Sequence, residues 1–493
     1  MEKKPESILQ NKVKLSIFWC LITSLYTGVL GDYTHSFLPS YLKDLEPSKD
    51  NVTFIQSLVL AFGSLGAILG GLFFGYVSRK LNVRLLIIGS NILSTVTTFF
   101  FGYGNVMPSS LRYAWVLLFQ FLSGFSQGSI ALLRTYISIV ITLPNKRVKF
   151  LNYVTALNGL GHLFSSVIVL AWSITPIGKH ANMTEEYSKH RPVFNKNTMV
   201  IDTVSLIGII MAIVASFLIV DLKYAEKHKI ITIEKETKIE KARQKISEVQ
   251  MTLSNKLNYF VWIGAMIMNT VWIINLFINP GANLSNIYSA EYNFTSQKAT
   301  RTTSSLSIFS GMCAVTGYAL AILITKPIKP HYVLFFGFGL SLISYALVLP
   351  IYGSDYLSQQ IPLLNYGCTY SWCDKEKEIP IWHVKVWILI HSFSSAFIMV
   401  SVTSAHALVV SLQNDHALHQ TLFSISAFIG KLFNPLFILN AFGEFGMFWL
   451  TATQMILISI AIFLLLIFTL ILRTLLTNHN SVRVNKHTIN SEE

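Results

Sequence analysis

The sequence predicts an all-α integral membrane protein, with twelve transmembrane helices arranged as two six-helix bundles. Three observations lead there. Hydrophobic residues make up 52% of the 493 residues and charged ones only 13%, where a soluble domain carries roughly 25%. Apolar runs of membrane-spanning length recur along nearly the whole chain, and a helix needs about 20 such residues to cross the hydrocarbon core. A charged stretch, "DLKYAEKHKIITIEKETKIEKARQKISEVQMTLSNK", divides the twelve runs into six and six.

The first run, 14–40, follows a polar, basic start. It is too long for the core of a signal peptide and reads as an uncleaved span. The second, 53–78, contains "AFGSLGAILGGLFFG". There Gly66, Gly70 and Gly75, with Gly63 before them, recur at helical spacing and predict a smooth stripe for close packing, or for sliding between bundles. The basic turn "SRKLNVR" joins it to the third run, 83–105, and makes Lys80 and Arg84 candidate gating residues. The fourth, 112–143, carries Arg134; the fifth is 148–175 and the sixth 199–221. The second half repeats the layout at 257–280, 303–325, 331–351, 382–411, 417–440 and 446–473. The domains are therefore residues 1–222, a cytoplasmic linker at 223–255, residues 256–475, and a cytoplasmic tail at 476–493.

A weak internal repeat supports two related bundles. "GLGHLFSS" in the fifth run aligns with "FIGKLFNP" in the eleventh, placing His162 against Lys431. Orientation follows from charge. With a cytoplasmic N-terminus, cytoplasmic segments hold 24 Lys and Arg and the opposite side 12, the bias expected of cytoplasmic loops. The four N-x-S/T acceptors, Asn51, Asn182, Asn283 and Asn293, all fall on the non-cytoplasmic side, where glycosylation occurs. Cys368 and Cys373 share a polar loop on that side and are expected to form a disulfide. Both termini are then cytoplasmic.

Charges inside the spans are the candidate functional residues. Arg134 lies about 15 Å and Lys431 roughly 18 Å from the cytoplasmic ends of their helices at 1.5 Å per residue. A cation at that depth costs about 2.5–3.5 kcal/mol and usually faces a cavity or a partner. Asp32 and Asp202 are the acidic residues within reach of the spans. Together Arg134 and Lys431 suit a small anionic solute, with a structural ion pair, or a side chain snorkelling to a water-filled cleft, as the competing readings. Asp32 and His35 lie one helical turn apart on one face and make a candidate proton relay. His162, His391 and His406 read as hydrogen-bonded packing residues.

The net charge of +14 is explained by orientation, so no nucleic-acid partner is expected. The chain lacks the G-x-x-x-x-G-K-[ST] and H-E-x-x-H patterns, and is expected to be neither an ATPase nor an enzyme. No cofactor or metal is implied. The expected partners are a small-molecule or ion substrate and the lipid bilayer.

These features resemble the major facilitator superfamily. "GYVSRKLNVR" keeps Gly75, Lys80 and Arg84 of its motif between the second and third spans, with Arg79 in place of Asp and Asn82 in place of Gly. "QFLSGFSQGSIALLRTYIS" has Gln120 where the superfamily often has Arg, followed by Arg134. This stretch, with "LPSYLKDLEP", "GCTYSWC" and "GKLFNPLFI", resembles the lysosomal branch linked to neuronal ceroid lipofuscinosis. The resemblance implies a monomeric transporter or chloride-conducting channel of the lysosomal or endosomal membrane, the plasma membrane being the alternative. It maps the branch's basic positions onto Arg134 and Lys431, and places Gln120 at the substrate site. Ser165 and Ser166 stand where many exchangers carry Gly-Pro. The expected function is alternating-access secondary transport of a small anionic solute, coupled to protons through Asp32 and His35. An endolysosomal anion channel and a transport-inactive scaffold are the alternatives.

Overall fold

A computed structural model describes residues 5–45, 52–174 except 79, 109 and 142, 196–220, 255–349 except 283, 293, 295 and 326, 379–411 and 416–489. The first half holds α1 (Pro5–Leu45), α2 (Val52–Val77), α3 (Val83–Gly102), α4 (Arg112–Gln127), α5 (Ile130–Val140), α6 (Pro144–Ile174) and α7 (Lys196–Leu218). The second holds α8 (Asn255–Phe277), α9 (Leu284–Glu291), α10 (Ser296–Ile324), α11 (Pro330–Ala346), α12 (Ile381–Val410), α13 (His416–Phe433) and α14 (Asn440–Ile489).

Helix α3 is turned inside out relative to a helix of a soluble protein. On α3, Asn91, Ser94 and Thr98 are buried, while Leu85, Ile92, Val96 and Phe99 are exposed. Phe217, Met266 and Phe463 likewise present their side chains outward. An apolar exterior of this extent matches lipid rather than water as the surrounding medium. A helix satisfies its own backbone polar groups, the condition for crossing that medium. Ten helical segments among the described residues are long and apolar enough to cross, and Pro330–Ala346 is a shorter apolar helix. One of the ten, Leu418–Ile471, has 54 residues. At 1.5 Å each that is about 80 Å, enough for two crossings of a hydrocarbon core of about 30 Å. Gly446, at φ 79° and ψ −168°, breaks it, a conformation that favours glycine. The chain thus forms twelve transmembrane spans in two bundles of six.

In the first bundle α1 packs on α6, α2 on α4 and α3 on α7; in the second α8 packs on α13, and α12 on α10 and α11. The bundles meet where α13 lies on α2 and α5, and where α10 and α12 lie on α6. The aligned segments of the repeat hold equivalent places. Gly161 of α6 lies so close to α1 that a side chain there would strike Gly28. Gly430 of α13 lies in the same way against Ile273 of α8. The fifth span of each half is pressed onto its first.

Several boundaries differ from expectation. The fourth span, read as one helix, turns at Gly128–Ser129 between α4 and α5. Gly128 sits against the backbone of Gly70 and Gly71, and a Cβ there would collide with it. The eleventh span passes through a π-type turn at Asn434–Leu439; Pro435 lacks the N–H that a regular α-helix needs. The loop expected after residue 280 contains α9, with Leu284, Ile287 and Tyr288 buried. The tail assigned from residue 476 is helical to Ile489. The linker 223–255 lies outside the described residues save for the start of α8 at Asn255.

Candidate functional site

The near end of the bundles is the end where α1 begins and α2 turns into α3; the far end is where α1 finishes. Between the bundles, at mid-depth, lies a cavity of about 150 Å³. The first bundle contributes Gln120 and Gln127 from α4 and His162, Ser165 and Ser166 from α6; the second contributes Ser307, Ser310 and Tyr318 from α10 and His391 and Ser395 from α12. Lys431 and Asn434 complete the wall from α13 and the turn after it. Asn434 is fixed by Nδ2, which donates to Phe277 O at 2.6 Å and Asn279 O at 2.7 Å, capping the end of α8.

A smaller pocket of about 60 Å³ joins this cavity, sharing Gln127, His162, Met399 and Lys431 with it. Arg134, Thr155 and Trp272 line it, and no carboxylate is among its lining residues that the structure describes. Arg134 is 4% exposed. Its Nη2 donates to Thr155 Oγ1 at 2.6 Å, and its guanidinium lies 4.9 Å from the Phe423 ring centroid, across the bundle boundary. Its Nη1 has no hydrogen-bond partner among the described residues. A buried donor left in this way costs about 1–3 kcal/mol, more when charged. The Lys431 ammonium sits beside α1 at Gly31, one residue before Asp32. The side chains of Asp32 and His35 lie outside the described residues.

Arg134, Lys431 and Gln120 are therefore brought together around connected space. Gln120 is buried, with its Oε1 unpartnered among the described residues. The glycine stripe divides its work. Gly66 and Gly70 press against Phe121 and Phe125 of α4, within one bundle, whereas Gly75 faces Thr421 of the other. Lys80 and Arg84 do not reach the opposite bundle through the contacts they make here: Lys80 Nζ donates to Tyr76 Oη at 2.8 Å, and Arg84 Nη2 donates to Ser216 O on α7. Asp202 lines neither pocket. Cys368, Cys373, Asn51, Asn182, Asn283 and Asn293 lie outside the described residues.

The histidines separate by position. His391, read as a packing residue, lines the cavity, with Nδ1 3.5 Å from Ser341 Oγ and Nε2 unpartnered among the described residues. His162 lines both pockets. His406 does pack, stacked on Phe423 at 4.4 Å. Trp272, Thr155 and Phe423 carry no sequence signal, because an aromatic or threonine in an apolar helix is ordinary.

Polar contacts close the near end below the small pocket. Asn152 Nδ2 donates to Ser404 Oγ at 2.8 Å, and Thr155 Oγ1 lies 3.0 Å from Thr403 Oγ1. At the far end Asn286 Nδ2 donates to Gln56 Oε1 at 3.3 Å and Arg301 Nη2 to Ser173 O at 3.2 Å. The cavity lies between two sets of contacts that join the same two bundles.

A family model described as Major Facilitator Superfamily matches residues 17–374. No curated protein matches the chain. Among solved structures, the human organic anion transporter MFSD10 (TETRAN) is similar with a TM-score of 0.59 and 12% identity, over 94% of this chain and 100% of that one. The proton:xylose symporter XylE bound to 6-bromo-6-deoxy-D-glucose gives 0.58 and 13%, over 90% and 94%. XylE from E. coli in a partially occluded inward-open conformation gives 0.58 and 12%, over 90% and 96%. At these identities the likeness is one of fold.

Proposed function

Because the chain belongs to the Major Facilitator Superfamily, we propose that it is a secondary transporter carrying a small anionic solute by alternating access through the cavity between its bundles. The shared fold serves an organic anion transporter and a sugar symporter, so the solute must be argued from the site. The observation that carries the reading is Arg134: a buried guanidinium whose Nη1 has no partner among the described residues, lining a pocket with no carboxylate among the described residues of its wall. An intramembrane cation so placed marks a substrate path. Contacts between bundles on both sides of the cavity supply the two gates that alternating access requires. Asp32 and His35, on α1 beside the cavity-lining Gly31, are the groups we assign to proton coupling.

Proteoliposomes preloaded with unlabelled organic anion should take up labelled anion faster than empty ones, at a rate that saturates. Ohmic current indifferent to the internal solute would make the protein a channel, and no flux at all would make it a scaffold.

The near end is assigned to the cytoplasm, on the strength of the Lys and Arg bias and of the four acceptor asparagines on the other side. Glycosidase digestion is expected to increase gel mobility, and the Asn182→Gln, Asn293→Gln double variant to lose most of that shift. A wild-type protein with no shift would contradict the assignment.

A further inference from the structure

Resting on the carrier reading, we propose that the two pockets form one divided site for a hydroxylated organic acid. Its carboxylate lies in the small pocket and its hydroxyl-bearing body in the larger cavity.

The hydrogen-bonding groups left over in each pocket have opposite character. Trp272 is 5% exposed and its indole Nε1, like Arg134 Nη1, has no partner among the described residues. Both residues line the small pocket. An indole N–H and a guanidinium N–H only donate, so an acceptor must satisfy them, and an anionic one does so best. Phe423 holds the two residues in place, stacked on Trp272 at 5.2 Å and lying beneath Arg134 at 4.9 Å. The amide nitrogens in the same pocket already donate to the protein. Gln127 Nε2 donates to Leu30 O at 3.1 Å, and Asn158 Nδ2 to Ser24 O at 3.2 Å and Thr27 Oγ1 at 3.1 Å. Arg134 Nη1 and Trp272 Nε1, both beside Phe423, are the buried donor atoms of this pocket that have no partner among the described residues.

The larger cavity leaves acceptors. Gln120 Oε1 and His391 Nε2 have no partner among the described residues, and the second accepts in one tautomer. Ser165 and Ser310 spend their hydrogens on the carbonyls one turn back, at 2.9 Å and 3.0 Å. Their oxygens keep lone pairs for an incoming O–H. Donors at one end and acceptors at the other fit a solute with an anionic head and a hydroxyl-bearing body. A bare anion satisfies only the first pocket, and a neutral sugar only the second.

The test uses purified full-length protein. Binding is read by thermal stabilisation and transport by proteoliposome flux, with gluconate, acetate and glucose as probes. Gluconate is expected to bind at least about tenfold more tightly than acetate or glucose, the effect of one charge-assisted hydrogen bond or its equivalent. Trp272→Phe keeps the ring and removes the N–H. It should weaken gluconate and acetate by about tenfold and leave glucose unchanged. Gln120→Leu should weaken gluconate and glucose but not acetate. Acetate binding as tightly as gluconate, or Trp272→Phe without effect on gluconate, overturns the divided site. The two readings fail separately. Gluconate binding with the expected variant pattern but no flux leaves the site standing and removes the carrier. Saturable flux of acetate and gluconate at equal affinity keeps the carrier and removes the divided site.

Discussion

Replacing Arg134 with alanine is expected to reduce saturable anion flux by about 30-fold to several thousand-fold without lowering the stability of the protein. The range follows from about 2–5 kcal/mol for truncating one partner of a buried, hydrogen-bonded charge pair, the anion being the other partner. The stability forecast follows from opposing terms. Alanine removes the hydrogen bond to Thr155 and the contact with Phe423, worth about 1.5–3 and about 0.5–2 kcal/mol. It also removes the cost of a buried guanidinium, about 2.5–3.5 kcal/mol, with its unpartnered Nη1. These nearly cancel, so thermal unfolding should stay close to wild type. Arg134→Lys keeps the charge but loses the planar fork, and should give intermediate flux. A structural charge would behave in the opposite way, with flux retained and stability lost. Flux and thermal unfolding measured on the same preparations separate the two cases.

The sequence makes some of this site legible and hides the rest for physical reasons. Arg134 and Lys431 stand out because charge within an apolar run is costly, so its presence demands a cause. Their depth could be counted from the helix ends, and the structure places both on one pocket. Trp272 and Phe423 could not be read in this way. Their significance is the brace they form with Arg134 across the bundle boundary, and no periodicity reports a contact between distant spans. His391 packs against Ser341 and Tyr345 and also lines the cavity; the second role is hidden in sequence because an isolated histidine in a helix looks the same whether it faces a neighbour or a cavity. The twelve spans were legible because lipid imposes length and apolarity on each. The turn at Gly128 was not, since its cause is the backbone of α2 lying against it. The repeat between α6 and α13 was faint in sequence yet coincides with equivalent packing on α1 and α8.

The most demanding claim is that the near-end contacts part during transport. Asn152 and Ser404 lie on opposite bundles and exchange hydrogen bonds at 2.8 Å and 3.2 Å. Among the described residues their hydrogen bonds are to each other, and the partner of Arg134 on α6 is Thr155. Opening the cavity toward the near end requires this pair to separate, because α6 and α12 form part of the boundary between the bundles. The most direct measurement is anion flux through the Asn152→Cys, Ser404→Cys double variant, before and after closure with a short thiol-reactive cross-linker cleavable by reductant. Alternating access predicts that the variant transports when reduced, falls to the protein-free background when cross-linked, and recovers when the link is cleaved. Asn152→Cys alone and Ser404→Cys alone should transport equally before and after the reagent. Full flux with the two bundles covalently tied at this point would contradict the rocking of one bundle against the other.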